Sequence, residues 1–143
     1  MRFDKFTVKA QEAVQASQEL ADKYSNQAIE PEHLLSALLD QEGGVVPSIL
    51  QKLGVDPGAV YQQLQAEIEK MPKQYGVTVQ SYMSNGLKKI FDNAWNEAQR
   101  LKDEYLSAEH LLLAISEVKE SSASRILREF GADKDNIFKA LVE

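Results

Sequence analysis

The sequence predicts an all-α domain of two tandem four-helix repeats packed with pseudo-twofold symmetry. The first observation is a duplication: Glu32-His33-Leu34-Leu35 returns 77 positions later as Glu109-His110-Leu111-Leu112, and this offset holds without a gap through both halves. The second is that apolar residues recur with a period near 3.6, which is helical spacing. The third is that residues typical of helix ends fall at matching positions. Because each unit exposes a similar apolar face, we expect it to pack against its twin.

The first helix of each repeat begins after a hydroxyl residue. Thr7 and Ser84 can each accept a hydrogen bond from free N–H groups of the first helical turn. The apolar face that follows contains Ala10, Ala13, Val14, Ala21 and Tyr24 in one copy, and Leu87, Ile90, Phe91, Ala98 and Leu101 in the other.

Proline, glycine and capping residues predict the bounds of the other three helices. Proline is favoured in the first turn of a helix, and glycine tolerates the left-handed conformation just after the last turn. The second helix is expected to begin at Pro31 in one copy and after a Ser107 cap in the other. The third starts near Pro47 or Ala123 and ends at Gly54 or Gly131, and the fourth is capped by Asp56 or Asp133.

A chain of 143 residues is long enough to bury the core of one domain. We assign repeat one to about residues 1–70, a connector to about 71–82 and repeat two to about 83–143. Pro72 and Gly76 interrupt helix in the connector, and Val77-Thr78-Val79 is too short to form a sheet alone. The connector is therefore predicted to be extended and to lie over the junction between the repeats.

Composition excludes several classes of protein. The net charge is −6 and the Lys and Arg residues are scattered, which argues against a nucleic-acid partner. No apolar run approaches the roughly 20 residues that span a bilayer, so no membrane association is expected. The chain has no cysteine, which excludes disulfides and thiolate metal sites. These features fit a cytoplasmic protein.

No residue pattern for catalysis, metal binding or a cofactor is present. Gly43-Gly44 is followed by Val45, with none of the Lys and Ser or Thr residues of a phosphate-binding loop. His33 and His110 each stand beside a Glu but lack the second His of a His-Glu-x-x-His zinc motif. We interpret both imidazoles as partly buried groups bonded to neighbouring carbonyls, and we expect the segment to have no enzymatic activity.

Acidic residues at helix starts are the more interesting candidates. Glu32 and Glu109 each fall in the first turn of a helix, where a carboxylate is stabilised by the helix dipole by ~0.3–1 kcal/mol. A surface carboxylate there could also receive a basic or amide group from a partner. Thr7 is open to the same two interpretations, and Asp103-Glu104 adds to a local negative patch.

Three apolar residues have polar counterparts in the other repeat. Trp95 stands opposite Gln18, Leu113 opposite Ser36, and Leu20 opposite Glu97. Packing between the repeats is the favoured explanation, and an exposed binding patch is the alternative.

Several longer segments resemble the Clp amino-terminal repeat domain over essentially the whole chain. They are Phe6-Thr7, the run from Ile29 to Leu39, the run from Ile49 to Asp56, and the run from Tyr105 to Ile115. Within that family, Glu30-Pro31-Glu32-His33 and the Met71-Pro72-Lys73 connector are most similar to ClpB-type disaggregases.

The resemblance implies the substrate-recognition domain of a longer, hexameric AAA+ chaperone. Such domains help to capture misfolded or aggregated polypeptide and pass it to the pore of the ring. ATP and magnesium would bind the parent's ATPase modules, and the isolated segment would be a cofactor-free monomer. Thr7, Asp103 and Glu109 match family positions linked to substrate engagement, and Glu32 joins them through the repeat.

Two other functions stay open. The segment could be the adaptor- or substrate-docking domain of a ClpC- or ClpA-type unfoldase that feeds a protease. It could also be a free-standing regulatory protein made only of this repeat.

Overall fold

The computed structural model describes residues 3–76 and 80–142, and helices are the dominant secondary structure within them. A short 3-10 helix, Phe3–Lys5, precedes the first α-helix. Repeat one contains α1 (Val8–Lys23), α2 (Pro31–Leu39), α3 (Val45–Lys52) and α4 (Pro57–Glu69). Repeat two contains α5 (Asn85–Arg100), α6 (Ala108–Glu117), α7 (Ser122–Glu129) and α8 (Lys134–Val142). The predicted all-α fold with two sets of four helices is confirmed.

The predicted helix ends agree closely with the structure. Thr7 Oγ1 accepts a hydrogen bond from Ala10 N at 3.2 Å, and Ser84 Oγ accepts one from Leu87 N at 3.1 Å. Gly54 and Gly131 follow the last turns of α3 and α7 with φ of +77° and +83°. Both glycines therefore adopt the left-handed conformation expected at a helix C-terminus.

Short extended segments of one repeat pair with those of the other. The sequence did not predict these strand pairings. β1 (Ala28–Ile29) pairs in parallel with β2 (Tyr82–Met83). Phe6 forms the equivalent parallel bridge with Leu106. Each pairing joins the residues before the first helix of one repeat to those before the second helix of the other. Two-residue strands are too short to produce an alternating pattern.

The helices also exchange partners between the repeats. Helix α4 packs on α2 of its own repeat and on α7 of the other, while its counterpart α8 packs on α6 and α3. In the same way α2 contacts α7 and α6 contacts α3. These helix contacts between the repeats thus occur in matched pairs, which is the expected pseudo-twofold arrangement.

One apolar core runs through both repeats. Its fully buried side chains include Leu34, Leu38, Phe91, Leu111 and Leu112. The ring of Phe91 packs edge-on against Phe3, with centroids 5.9 Å apart. Because the core is shared, neither repeat could bury its apolar face without the other.

The three asymmetric apolar residues are distributed differently. Leu113 is fully buried, Trp95 packs against the core, and Leu20 is half-buried on α1. Leu113 is therefore a core residue and not part of an exposed patch, and packing between the repeats stays a prediction for these residues.

The described part of the connector is extended and tied to repeat one. Gln74 N donates to Ser25 O at 2.7 Å, and Asn26 Nδ2 donates to Pro72 O at 3.2 Å. The segment Val77-Thr78-Val79 lies outside the described residues. Among the described residues, no helix has the length and apolarity that a membrane span requires.

Candidate functional site

The cross-repeat bridge at Phe6 brings the start of α1 next to the turn before α6. Leu106 N donates to Lys5 O at 2.8 Å, and Thr7 N donates to Leu106 O at 2.9 Å. Asp103 lies three residues before Leu106 and Glu109 three residues after it. The bridge therefore brings Thr7 next to the segment of repeat two that carries Asp103 and Glu109.

Asp103 is held in place by a buried histidine. His110 Nδ1 accepts a hydrogen bond from Ser107 N at 2.9 Å, so in the neutral ring the proton is on Nε2. Nε2 lies 2.7 Å from Asp103 Oδ2 and donates to it. The Asp103 side chain is half-exposed, so its second oxygen can still receive a donor from solvent or a partner.

Glu109 stands in the first turn of α6 and is partly buried. Within the part of the chain that the structure describes, its carboxylate has neither a hydrogen bond nor an ion pair. The helix dipole favours the charge there, and no cation among the described residues pairs with it. An unpaired carboxylate of this kind can accept an amide, guanidinium or ammonium group.

Glu32 does not belong to this surface, and its expected surface position is wrong. The side chain is only 4% exposed. Its Oε2 accepts a hydrogen bond from Ala123 N at 2.8 Å, at the N-terminus of α7. It lies where the repeat symmetry places the counterpart of Glu109, beside a cavity of about 480 Å³ between the starts of α2, α5 and α7. Its carboxylate is buried because it satisfies a free N–H group of another helix.

His33, the counterpart of His110, has a purely structural position. Nδ1 accepts from Glu30 N at 2.9 Å, and Nε2 donates to Asn26 Oδ1 at 2.9 Å. Burial lowers the pKa of His33 to about 4, so the ring is neutral at pH 7. The carbonyl partner expected from the sequence is present for His33, where it belongs to the Asn26 amide. For His110 the partner is instead the Asp103 carboxylate.

Two exposed apolar residues beside the site were not identified from the sequence. Val8 is 71% exposed at the start of α1, next to Thr7. Tyr105 is 50% exposed, with Lys5 Nζ 5.9 Å from its ring centroid. A comparison of the two repeats could have identified both residues, because the counterpart of Val8 is Asn85 and the counterpart of Tyr105 is Ala28.

We name Thr7, Val8, Asp103, Tyr105 and Glu109 the α1–α6 surface. It combines two carboxylates, a hydroxyl and two exposed apolar side chains, which together suit a polypeptide with mixed polar and apolar groups. In residues 3–76 and 80–142, no group of three His, Asp or Glu residues is placed to hold a metal ion.

Comparison with known families agrees with the repeat and the fold. Residues 5–130 match the family model described as the Clp repeat (R) N-terminal domain. The chain belongs to this family.

The curated relatives of this Clp N-domain include ClpB chaperones. It is 34% identical over 144 residues to the chaperone protein ClpB of Clostridium tetani, covering 99% of this chain and 17% of the relative. It is also 34% identical over 143 residues to ClpB of Porphyromonas gingivalis, covering 100% of this chain and 16% of the relative. The chain thus spans about a sixth of the length of these relatives.

Solved Clp N-domains share the fold. The Hsp104 N-terminal domain from Candida albicans superposes with a TM-score of 0.82 at 23% identity, over 97% of this chain and 90% of that one. The ClpV N-domain solved in complex with a VipB peptide gives 0.75 at 21% identity, over 97% of this chain and 86% of that one. These similarities establish the fold of the Clp N-domain for the present chain.

Proposed function

We propose that this Clp N-domain captures misfolded or aggregated polypeptide for a ClpB-type ATP-driven chaperone ring in the cytoplasm. The α1–α6 surface is the proposed contact. The observation that carries this role is the Glu109 carboxylate, which has no partner among the described residues, in the same segment as the half-exposed Asp103 and near the exposed apolar Val8 and Tyr105. Unfolded chains expose backbone amides, basic groups and apolar side chains together, which folded proteins seldom do.

The parent chaperone would supply the energy and the valency. ATP and magnesium would bind ATPase modules elsewhere in the longer protein, and a hexameric ring would present six copies of the domain. Micromolar-to-millimolar contacts, about −4 to −8 kcal/mol each, are sufficient when several act on one substrate. Rapid release from each contact would also allow the substrate to be handed to the ring.

Related domains support recognition of peptides. The ClpV N-domain, which shares this fold, was solved in complex with a VipB peptide. ClpB chaperones are the relatives that match over nearly the entire chain. We therefore favour binding of polypeptide by the domain over any chemical reaction.

The test uses chemical-shift mapping with a permanently unfolded protein, reduced and carboxamidomethylated lysozyme. The variants are Asp103→Asn and Glu109→Gln, each of which removes one charge with little change of shape. The amide that Asp103→Asn introduces would retain the hydrogen bond from His110, because Asn26 already accepts the same bond from His33. Each variant is expected to weaken binding about threefold to tenfold, or roughly 0.7–1.4 kcal/mol, with little change in melting temperature.

The matched control is Asp135→Asn, which removes one charge from the first turn of α8. It is expected to bind like the unmodified domain. Equal affinities for all four proteins, or shifts centred away from the α1–α6 surface, would refute the proposal. Binding of a folded adaptor in place of the unfolded lysozyme would favour the unfoldase-docking alternative.

A further inference from the structure

Repeat one contains a groove that is separate from the α1–α6 surface. It lies between α1, α2 and α4 and has a volume of about 230 Å³. We name it the α1–α2–α4 groove, and its lining includes Glu12, Leu20, Ser36, Asp40 and Tyr61. Sites that enclose a whole small molecule have volumes of roughly 300–1,000 Å³, so this space suits one or two side chains of a larger partner.

The second repeat shows what the same position looks like when it is filled. Ser36 of the groove corresponds to Leu113, whose side chain is fully buried. Tyr61 corresponds to Phe138, which packs against the core. Repeat one therefore lacks an apolar side chain that its twin supplies from its own sequence.

The second repeat also carries cations over this position. Lys134 Nζ lies 3.0 Å from Glu97 Oε1 and 3.4 Å from Glu117 Oε2. The Arg100 guanidinium lies 5.5 Å from the ring centroid of Phe138. Positive charges thus cover both the acidic rim and the aromatic ring of repeat two.

Repeat one has the acidic rim without the counterpart of Lys134, although the exposed Lys23 stands where repeat two has Arg100. Asp40 corresponds to Glu117, but Pro57 stands where repeat two has Lys134. No cation in residues 3–76 or 80–142 pairs with Asp40 or Glu12. Asp40 also caps the C-terminus of α2, where the helix dipole already favours a positive charge.

From this internal comparison we propose that the α1–α2–α4 groove binds a polypeptide segment that carries a leucine-like side chain and a Lys or Arg. The apolar side chain enters the groove beside Ser36, which corresponds to Leu113 of repeat two and is itself 1% exposed, with a hydrogen bond from Gln65 Nε2 at 3.4 Å. The cation pairs with Asp40, as Lys134 pairs with Glu117. Since Ser36 and Asp40 are four residues apart on α2, the two partner groups are expected to be about one helical turn apart.

The groove recognises more than charge. Its floor includes the half-buried Leu20 and the buried Ala37, and its inner end is closed by polar contacts of Gln65 with Ser36 and Tyr24. Tyr61 borders the opening, and burial together with the neighbouring Asp40 raises the pKa of its hydroxyl, so the ring remains neutral at pH 7. The apolar Leu20 and Ala37, beside a carboxylate that has no ion pair among the described residues, match one amphipathic face of a basic helix.

The probe is an alanine-based helical peptide of about 14 residues with a single Leu and, four positions later, a single Lys. Two matched peptides replace the Leu by Ser or the Lys by Glu. Chemical-shift mapping on the 143-residue chain is expected to show changes on α1, α2 and α4 with the first peptide. Each matched peptide should bind at least about threefold more weakly, and the Lys-dependent part should decrease as salt is added.

Two protein variants test the same contact from the other side. Asp40→Asn removes the charge from an exposed position and is expected to weaken binding of the Leu–Lys peptide about threefold to tenfold. Ser36→Leu places the side chain of repeat two in the groove and is expected to abolish binding. Should Ser36→Leu unfold the domain, Asp40→Asn alone decides the charge contact.

Glu109→Gln separates this proposal from the proposed function. It should weaken the binding of unfolded lysozyme while leaving the binding of the Leu–Lys peptide unchanged. Peptide shifts outside the groove, or equal affinity for Asp40→Asn and the unmodified chain, would overturn the inference. If the Glu109→Gln variant no longer bound the peptide, the peptide would bind the α1–α6 surface instead.

Discussion

The carboxylate of Glu32 accepts a hydrogen bond from the backbone N–H of Ala123 at 2.8 Å, joining residues 91 positions apart. Glu32 lies in the first turn of α2 in repeat one, and Ala123 lies in the first turn of α7 in repeat two. The contact therefore ties the first turns of two helices together across the pseudo-twofold axis. Its symmetry counterpart, Glu109, makes no such bond within the described residues. One duplicated glutamate ties the two repeats together, and the other is the one that we propose contacts a partner.

Replacing Glu32 should test this division directly. Glu32→Ala leaves Ala123 N without its acceptor in a buried position, which is expected to lower the free energy of unfolding by about 1–3 kcal/mol. Glu109→Ala, the matched control in repeat two, should lower it by less than about 0.5 kcal/mol. Urea unfolding at pH 7 measures both. Equal losses would mean that the two glutamates have the same role.

The glycines after α3 and α7 provide a second test. A Cβ built at Gly54 or Gly131 meets no atom within 4 Å, so any cost of substitution comes from the positive φ alone. Gly54→Ala and Gly131→Ala are each expected to destabilise the domain by about 1–2 kcal/mol. Gly86→Ala in α5, where the nearest atom is 3.8 Å away and φ is not positive, should be neutral or slightly stabilising. Thermal unfolding of the three variants distinguishes conformational strain from crowding.

Much of the fold could be predicted because its signals are local. Caps such as Thr7 and Ser84, and glycines such as Gly54, act within one turn of the chain and mark helix ends directly. The 77-residue offset then transfers each assignment to the other copy. The apolar residues with helical spacing identified the face of each helix that packs. The all-α class and the pairing of the repeats could therefore both be predicted.

The rest depended on contacts between distant residues. The bridge from Phe6 to Leu106 has no local pattern, yet it assembles the α1–α6 surface. The acceptor role of Glu32 depends on where α7 begins, which the sequence around Glu32 does not encode. Two identical Glu-His pairs thus looked equivalent in sequence, although only Glu109 is left unpaired among the described residues.

A reciprocal exchange at Asn26 and Asp103 should separate the two histidine environments. Asn26 is buried and uses its Nδ2 to donate to Pro72 O, so Asn26→Asp replaces that donor by a second acceptor facing a carbonyl. We expect a loss of about 2–4 kcal/mol at pH 7. Asp103→Asn, at the half-exposed equivalent position, should cost less than about 1 kcal/mol. Similar losses in urea unfolding would contradict the proposed difference in burial and bonding.

The buried His33 should make the domain less stable in mild acid. Its pKa is lowered by burial from 6.5 to about 4, so as the pH falls below 6.5 the unfolded chain takes up a proton before the folded domain does. Stability from this residue is constant above pH 6.5 and is lost between pH 6.5 and 4, by about 3 kcal/mol in total. Urea unfolding at several pH values measures the decrease, and His33→Gln, which keeps both an acceptor and a donor, is the reference that lacks the titration. Because all other groups titrate in both proteins, the difference between the two curves isolates His33. A constant difference across about pH 4–7 would show that His33 is protonated as readily in the folded domain as in the unfolded chain.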